Sequence, residues 1–172
     1  MIKDLFIGVS VMLCVITIAC QPARQASNFR EVIRHDDTAE IKKVIAGETQ
    51  AFADRDSTRL LAYYTDDVIT QSAWNNPTGS YGVLHGKTSI RSNFAQAFKN
   101  NPNRVYLPEI KRSQWVFRQL SAEWMWVNFR QEIITTDGNV YGGYETRMMK
   151  KVKEEWKIAV MYALSDHGKP SS

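Results

Sequence analysis

Residues 123–151, EWMWVNFRQEIITTDGNVYGGYETRMMKK, carry the pattern that decides the fold. Two strand-like runs flank Asp137-Gly138, a dipeptide that favours a two-residue hairpin turn. The resulting register places Arg130 opposite Glu145, so that opposite charges meet. The face expected to lie against the core carries Met125, Val127, Phe129, Gln131, Ile133, Tyr144, Met148 and Val152. The other face carries Trp124, Trp126, Asn128, Arg130, Glu132, Glu145 and Arg147.

An apolar run near the N-terminus indicates export. Residues 5–19, LFIGVSVMLCVITIA, are shorter than the roughly 20 residues of a membrane-spanning helix. Residues 16–20, ITIAC, resemble the lipobox of bacterial lipoproteins. That resemblance implies removal of a signal peptide, residues 1–19, and acylation of Cys20. An uncleaved anchor with a buried cysteine is the alternative.

Acylation would tether the protein to a bacterial membrane, on its periplasmic or cell-surface side. Residues 20–36 are polar and suit a flexible tether. The residue after the cysteine is Gln21 rather than Asp, which favours the outer membrane. Because Cys14 leaves with the signal peptide, the mature chain has no cysteine for a disulfide or a metal site.

The composition suits one domain, residues 37–166, followed by a short tail, residues 167–172. Hydrophobic residues make up 44% of the chain, enough for an ordinary core, and the net charge of +4 is mild. We assign the basic residues to a solvated sheet edge, because an exported protein is not expected to bind nucleic acid. The sequence contains no glycine-rich loop for phosphates, and we expect no cofactor.

Helical patterns precede strand patterns along the domain. Asp37 and Glu40 have the spacing of a capping box, and the helix that follows, to about Asp54, places Glu48 on its apolar stripe. Asp56 caps a second short helix, and a third opens at Gly86. Strands are expected at residues 68–74, 81–85, 105–112, 113–120 and 156–164, besides the hairpin. This order predicts an α+β fold.

Three segments resemble the SnoaL-like branch of the nuclear transport factor 2-like superfamily. They are AFADRDSTRLLAYYTDDV at 51–68, HGKTSIRSNF at 85–94 and KEEWKI at 153–158. The resemblance implies N-terminal helices packed in a strongly curved, mixed and mostly antiparallel sheet, a cone-shaped α+β barrel with a pocket at its open end. Members of the superfamily include isomerases, cyclases, dehydratases, epoxide hydrolases and domains that only bind or dimerise.

The catalytic patterns of two branches are incomplete here. Ketosteroid isomerase-like members imply a general-base Asp at about Ser72 and a Tyr at about Glu48. Limonene epoxide hydrolase-like members imply an Arg-x-Asp, which residues 130–132 resemble, and a later Asp where Ile158 stands. A serine takes no proton near neutral pH without a base of its own, and the second pattern lacks its later Asp. Neither activity is therefore carried over.

Six side chains are candidates for lining a pocket, because aromatic walls with a few polar groups are typical of small-molecule sites. They are Glu48, Tyr64, Trp74, His85, Gln131 and Tyr144. No His, Asp and Glu trio has the spacing of metal ligands, so we expect no metal.

Three functions fit these residues. The favoured one is a membrane-tethered module that binds a small, partly apolar molecule without catalysis. The second is an acid–base enzyme that uses Glu48 with His85, and it requires the two to lie within hydrogen-bonding reach. The third is a structural dimerisation domain whose cone is filled by its own side chains. We also expect a homodimer, formed through the hairpin face that carries Trp124 and Trp126, with Met149 beside them.

Replacement of Cys20 by Ser tests the predicted tether. The wild-type protein should partition with membranes, because more than one acyl chain anchors a protein stably. The Cys20→Ser variant should be neither processed before residue 20 nor acylated there. Fractionation with mass spectrometry of the N-terminal peptide provides the measurement. An unmodified Cys20 in the membrane fraction would contradict the prediction.

Overall fold

Helices come first and a six-stranded sheet follows in the computed structural model, which describes residues 35–103, 109–134 and 138–166. The helices are α1 (His35–Ala53), α2 (Ser57–Ala62) and α3 (Gly86–Asn100). The strands are β1 (Gln71–Asn75), β2 (Tyr81–His85), β3 (Glu109–Ser121), β4 (Trp124–Ile134), β5 (Val140–Val152) and β6 (Glu155–Ser165). These residues belong to one compact unit. The predicted signal peptide, Cys20 and the tail at 167–172 lie outside the described residues.

Helix α1 buries the stripe predicted from its periodicity. Ile41 and Ile45 are fully buried, and Glu48, one turn further on, is 6% exposed. The helix begins two residues before the predicted cap, however, so Asp37 lies in its first turn. Its Oδ1 instead accepts hydrogen bonds from Trp156 Nε1 at 2.9 Å and Lys151 Nζ at 2.8 Å, which join α1 to the sheet.

The two later helices follow their sequence signals. The Asp56 side chain accepts a hydrogen bond from the Arg59 backbone N–H, as a helix cap does. Helix α3 starts at Gly86, whose φ of +76° is a conformation that glycine adopts without strain. It buries Ile90, Phe94 and Phe98 against the core.

The sheet is mixed and mostly antiparallel, as predicted. Its strand order is β2-β1-β6-β5-β4-β3, in which only the β1–β6 pair is parallel. The described strands form an open sheet with β2 and β3 at its edges, and not a closed barrel. Residues 109–121 form one strand rather than parts of two, because an irregularity between Ser113 and Val116 bends β3 without ending its pairing with β4.

The predicted register between β4 and β5 is wrong by one residue. Ile134 pairs with Val140, which leaves five residues between the strands instead of a two-residue turn. Glu145 therefore lies opposite Phe129, and Arg147 lies opposite Val127. A shift of one residue moves every β5 side chain to the other face.

Because of this shift, the two predicted faces of β5 are exchanged, whereas the predicted faces of β4 are correct. Met125, Val127 and Phe129 are fully buried, as predicted. Arg147 is only 3% exposed and lies on the core side, whereas Tyr144 is 44% exposed on the other side.

Alternation along residues 156–164 predicts one face that carries Trp156, Ile158, Val160, Tyr162 and Leu164. A bulge in β6 overturns the second half of this pattern. Ile158 pairs with Met149 and Val160 pairs with Met148, so Ala159 is an extra residue in β6. After the bulge, Met161 faces the core and Leu164 is 62% exposed, opposite to the predicted arrangement.

Candidate functional site

A cavity of about 420 Å³ lies between α1, α3 and the strands β1, β4, β5 and β6. We call it the cone cavity. Its apolar lining is Phe52, Trp74, Phe94, Ala97, Ile133 and Met161, and its polar lining is Glu48, Thr49, Arg55, Asn93, Gln131, Glu145 and Arg147. A smaller cavity of about 130 Å³ shares Gln131, Ile133 and Glu145 with it. The volume and the mixed lining are those of a small-molecule site.

A buried ion pair forms the polar part of the cone cavity. Arg147 Nη2 contacts Glu145 Oε2, and both residues lie on the inward face of β5. Glu48 Oε2 lies 4.0 Å from the same Nη2. The Tyr64 hydroxyl donates a hydrogen bond of 3.1 Å to Glu48 Oε1. One guanidinium therefore contacts carboxyl groups from β5 and α1.

Hydrogen bonds extend this cluster across the sheet. Gln131 Nε2 donates to Glu145 Oε1 at 2.9 Å, and Arg112 Nε donates to Gln131 Oε1 at 2.8 Å. Arg112 Nη2 also donates to Thr49 Oγ1 at 2.7 Å. Side chains from α1, β3, β4 and β5 thus hold each other in place, so these polar groups are fixed by the protein's own hydrogen bonds.

Burial controls the protonation of the carboxyl group on α1. It raises the pKa of Glu48 above the usual value, although Arg147 partly offsets the effect. Burial and the adjacent Glu48 also raise the pKa of Tyr64 well above its usual value. Burial alone would lower the pKa of Arg147, but Glu145 and Glu48 outweigh it and leave that pKa raised. Arg147 is consequently a permanent cation, whereas Glu48 is shifted toward its neutral form.

Comparisons with known proteins identify the fold. No protein-family model and no curated protein sequence matches the chain. Among solved structures, an NTF-2 like protein of unknown function from Shewanella oneidensis is 19% identical, with a TM-score of 0.57, over 74% of this chain and 98% of the other. A ketosteroid isomerase-like protein from Erwinia carotovora atroseptica is also 19% identical, with a TM-score of 0.55, over 80% and 100%. An NTF2-like protein of unknown function from Pseudomonas putida is 14% identical, with a TM-score of 0.58, over 76% and 87%.

This chain has the nuclear transport factor 2-like fold. The fold predicted from the three sequence segments is therefore confirmed. At these identities the likeness shows the fold alone, and the function must be argued from the site.

Four of the six candidate residues lie in or beside the cone cavity of this nuclear transport factor 2-like domain. Glu48, Trp74 and Gln131 line it, and Tyr64 lies behind Glu48 through their hydrogen bond. The neighbouring Arg112, Glu145 and Arg147 were not among the candidates. For Glu145 and Arg147 the signal was the charge pairing across β4 and β5, which the predicted register placed on the outer face. Arg112 lies on β3, opposite Gln131.

His85 and Tyr144 are placed elsewhere. His85 is exposed and occupies the N-cap position of α3 without a side-chain capping hydrogen bond, outside the lining of the cone cavity. Tyr144 lies on the outer face, where its hydroxyl donates to Gln114 Oε1 at 2.9 Å, because the register differs by one residue. The two oxygens of Glu48 contact Tyr64 and Arg147, so the pair of Glu48 and His85 required by the acid–base alternative is not formed.

The described residues supply no other recognisable chemical centre. Ser72, which the family resemblance aligns approximately with a general-base Asp, is fully buried, and its hydroxyl has no hydrogen-bond partner among the described residues. No three His, Cys, Asp or Glu side chains in this part of the chain come together as metal ligands. Across the same residues, no helix is long and apolar enough to cross a membrane.

Replacing Glu48 by Gln should reveal its raised pKa in protein stability. The stabilising contribution of protonated Glu48 is present below the unfolded-state pKa and is lost as the pH rises through the folded-state pKa. Gln cannot titrate. The free energy of unfolding of the wild type, relative to Glu48→Gln, should therefore fall as the pH rises above 4.5, the usual pKa of the group, in urea titrations.

Glu155→Gln is the control, because Lys157 lowers the pKa of this exposed carboxyl group. Relative to that variant, the wild type should lose stability as the pH falls, which is the opposite sign. A stability difference at Glu48 that does not change with pH would contradict a raised pKa.

Proposed function

We propose that this domain binds a small, partly apolar molecule in the cone cavity. The observation that carries the proposal is the cavity itself, about 420 Å³ that the surrounding side chains leave unfilled. Phe52, Phe94 and Met161 offer apolar surface to a ligand, and the Glu48, Glu145 and Arg147 cluster offers polar contacts. A purely structural cone would be filled by its own side chains, so the open cavity favours binding.

Binding without catalysis has better support than acid–base catalysis. The raised pKa of Glu48 suits a proton donor, but His85 does not reach it. The positions that resemble known catalytic aspartates hold Ser72 and Ile158, both fully buried. Neither residue supplies a general base.

We further propose that the domain works while tethered to a bacterial membrane by acylated Cys20. The support is the lipobox-like sequence at 16–20 and the polar segment that follows it. A tether would keep the cone close to the membrane surface, where partly apolar molecules concentrate.

A neutral fluorescent probe tests ligand binding. N-phenyl-1-naphthylamine is apolar and uncharged, and its fluorescence increases in an apolar site. We expect saturable binding to the wild type. Ala97→Trp should weaken it at least about tenfold, because Ala97 lines the cone cavity and a larger side chain would occupy the ligand's place.

Ala95→Trp is the matched control, since Ala95 is exposed on the same helix and should leave binding unchanged. Circular dichroism verifies that both variants fold. Absence of saturable binding to the wild type, or equal weakening by the two tryptophans, would overturn the proposal.

A homodimer is also proposed, with a revised surface. Met149 is fully buried in the core and cannot contribute to it. The outer face of the sheet exposes other apolar groups, namely Val116, Leu120, Tyr144, Tyr162 and Leu164. Apolar area of this kind favours association with a second copy.

Light scattering on the domain without residues 1–20 measures this association. We expect a dimer in the wild type and a shift toward monomer in Leu164→Glu, because a charge would then be buried at the interface. A monomeric wild type at high micromolar concentration would exclude the dimer.

A further inference from the structure

Arg147 carries hydrogen-bond donors that no described residue uses. Its side chain is almost fully buried and lines the cone cavity. Nη2 contacts Glu145, but Nε and Nη1 have no hydrogen-bond partner among the described residues. Nε bears one N–H and Nη1 bears two. Buried donors without acceptors are costly, so these groups favour an acceptor that enters the cavity.

The charge around the cone cavity favours an anion as that acceptor. Arg55 and Arg147 line the cavity, and Arg112 is tied to it through Gln131 and Thr49. Two carboxyl groups oppose these three cations. Glu145 is ion-paired with Arg147, so Glu48 determines the remaining balance.

Glu48 is shifted toward the neutral form by its surroundings. Burial raises its pKa and Glu145 adds to that shift, whereas Arg147, the Tyr64 hydroxyl and Arg112 oppose it. A neutral Glu48 leaves an excess of positive charge at the cavity. It also supplies an O–H donor beside Arg147, which suits an anionic ligand.

The rest of the cavity lining calls for an apolar body on the same ligand. Phe52 and Phe94 contact each other edge to face, with ring centroids 5.8 Å apart, and both line the cavity with Ile133 and Met161. This apolar lining comes from α1, α3, β4 and β6. A molecule that satisfies both parts has an anionic group at one end and hydrocarbon at the other.

We propose that the cone binds a small carboxylic acid with an apolar body, and that the carboxylate accepts hydrogen bonds from Arg147. This inference rests on the proposed binding function and names the ligand class. A monoanion suits the site better than a dianion such as a phosphate ester, because the charged Glu145 lies beside the same guanidinium and repels additional negative charge.

A matched pair of probes tests the charge preference. 4-Phenylbutanoate and 4-phenylbutanamide have almost the same shape, but only the first is an anion with two acceptor oxygens. We expect the wild type at about pH 6.5 to bind the carboxylate at least about tenfold more tightly than the amide. Isothermal titration calorimetry and displacement of N-phenyl-1-naphthylamine both measure this ratio.

Variants assign the preference to Arg147. Removing Arg147 alone would leave Glu145 as a buried unpaired charge, so the two are replaced together as Arg147→Gln with Glu145→Gln. We expect this double variant to bind both probes equally. Arg130→Gln should retain the preference, since Arg130 stacks on Tyr144 on the outer face.

The outcomes separate this inference from the proposed function. If N-phenyl-1-naphthylamine does not bind the wild type, the proposed function fails. If it binds and is displaced equally well by the carboxylate and the amide, only the carboxylate inference fails, and the free donors of Arg147 are satisfied by water. A preference that survives in the folded double variant also overturns the inference. Should the double variant not fold, the probe ratio in the wild type still decides.

Discussion

The burial of the Arg147 guanidinium is the constraint on which the arrangement of the sheet and its cavity depends. A charge removed from water is tolerated in a protein interior only beside an opposite charge, and Glu145 provides it from the same strand. Removing one partner of such a pair costs about 3–5 kcal/mol. The ion pair can form on the inner face only if β4 and β5 pair in the observed register. The register between β4 and β5 therefore determines which charged groups line the cavity.

The network around the ion pair explains why the cone stays open. Gln131, Arg112 and Thr49 are held by hydrogen bonds to each other and to Glu145. Polar side chains in such a network cannot collapse into the cavity as apolar side chains do, because each would lose a partner. Hydrocarbon packing fills the other end of the domain, where Ile41, Met125 and Ile158 are fully buried.

Sequence patterns predict those features that depend on neighbouring residues. The periodicity of α1 places Glu48 on the inner face, and alternation in β4 places Phe129 there. Capping and turn residues also set the limits of α2 and α3. The inward direction of Arg147 was not predictable in the same way, because it depends on the length of the loop before β5 and on a partner from another element. The bulge at Ala159 was not predictable for a similar reason, because an extra residue in a strand is defined only by its pairing with the neighbouring strand.

The position of the last strand has a consequence for how the chain folds. Strand β6 lies in the middle of the sheet, between β5 and β1, although it is the last of the described elements in sequence. Gln71 pairs with Val160, a contact between residues far apart along the chain. The hairpin β1–β2 and the three consecutive antiparallel strands β3, β4 and β5 can form early from local contacts. They cannot join until residues 155–165 have been synthesised. Non-local pairing of this kind slows folding, so the central strand edges on β1 and β5 stay open to other chains until β6 closes the sheet.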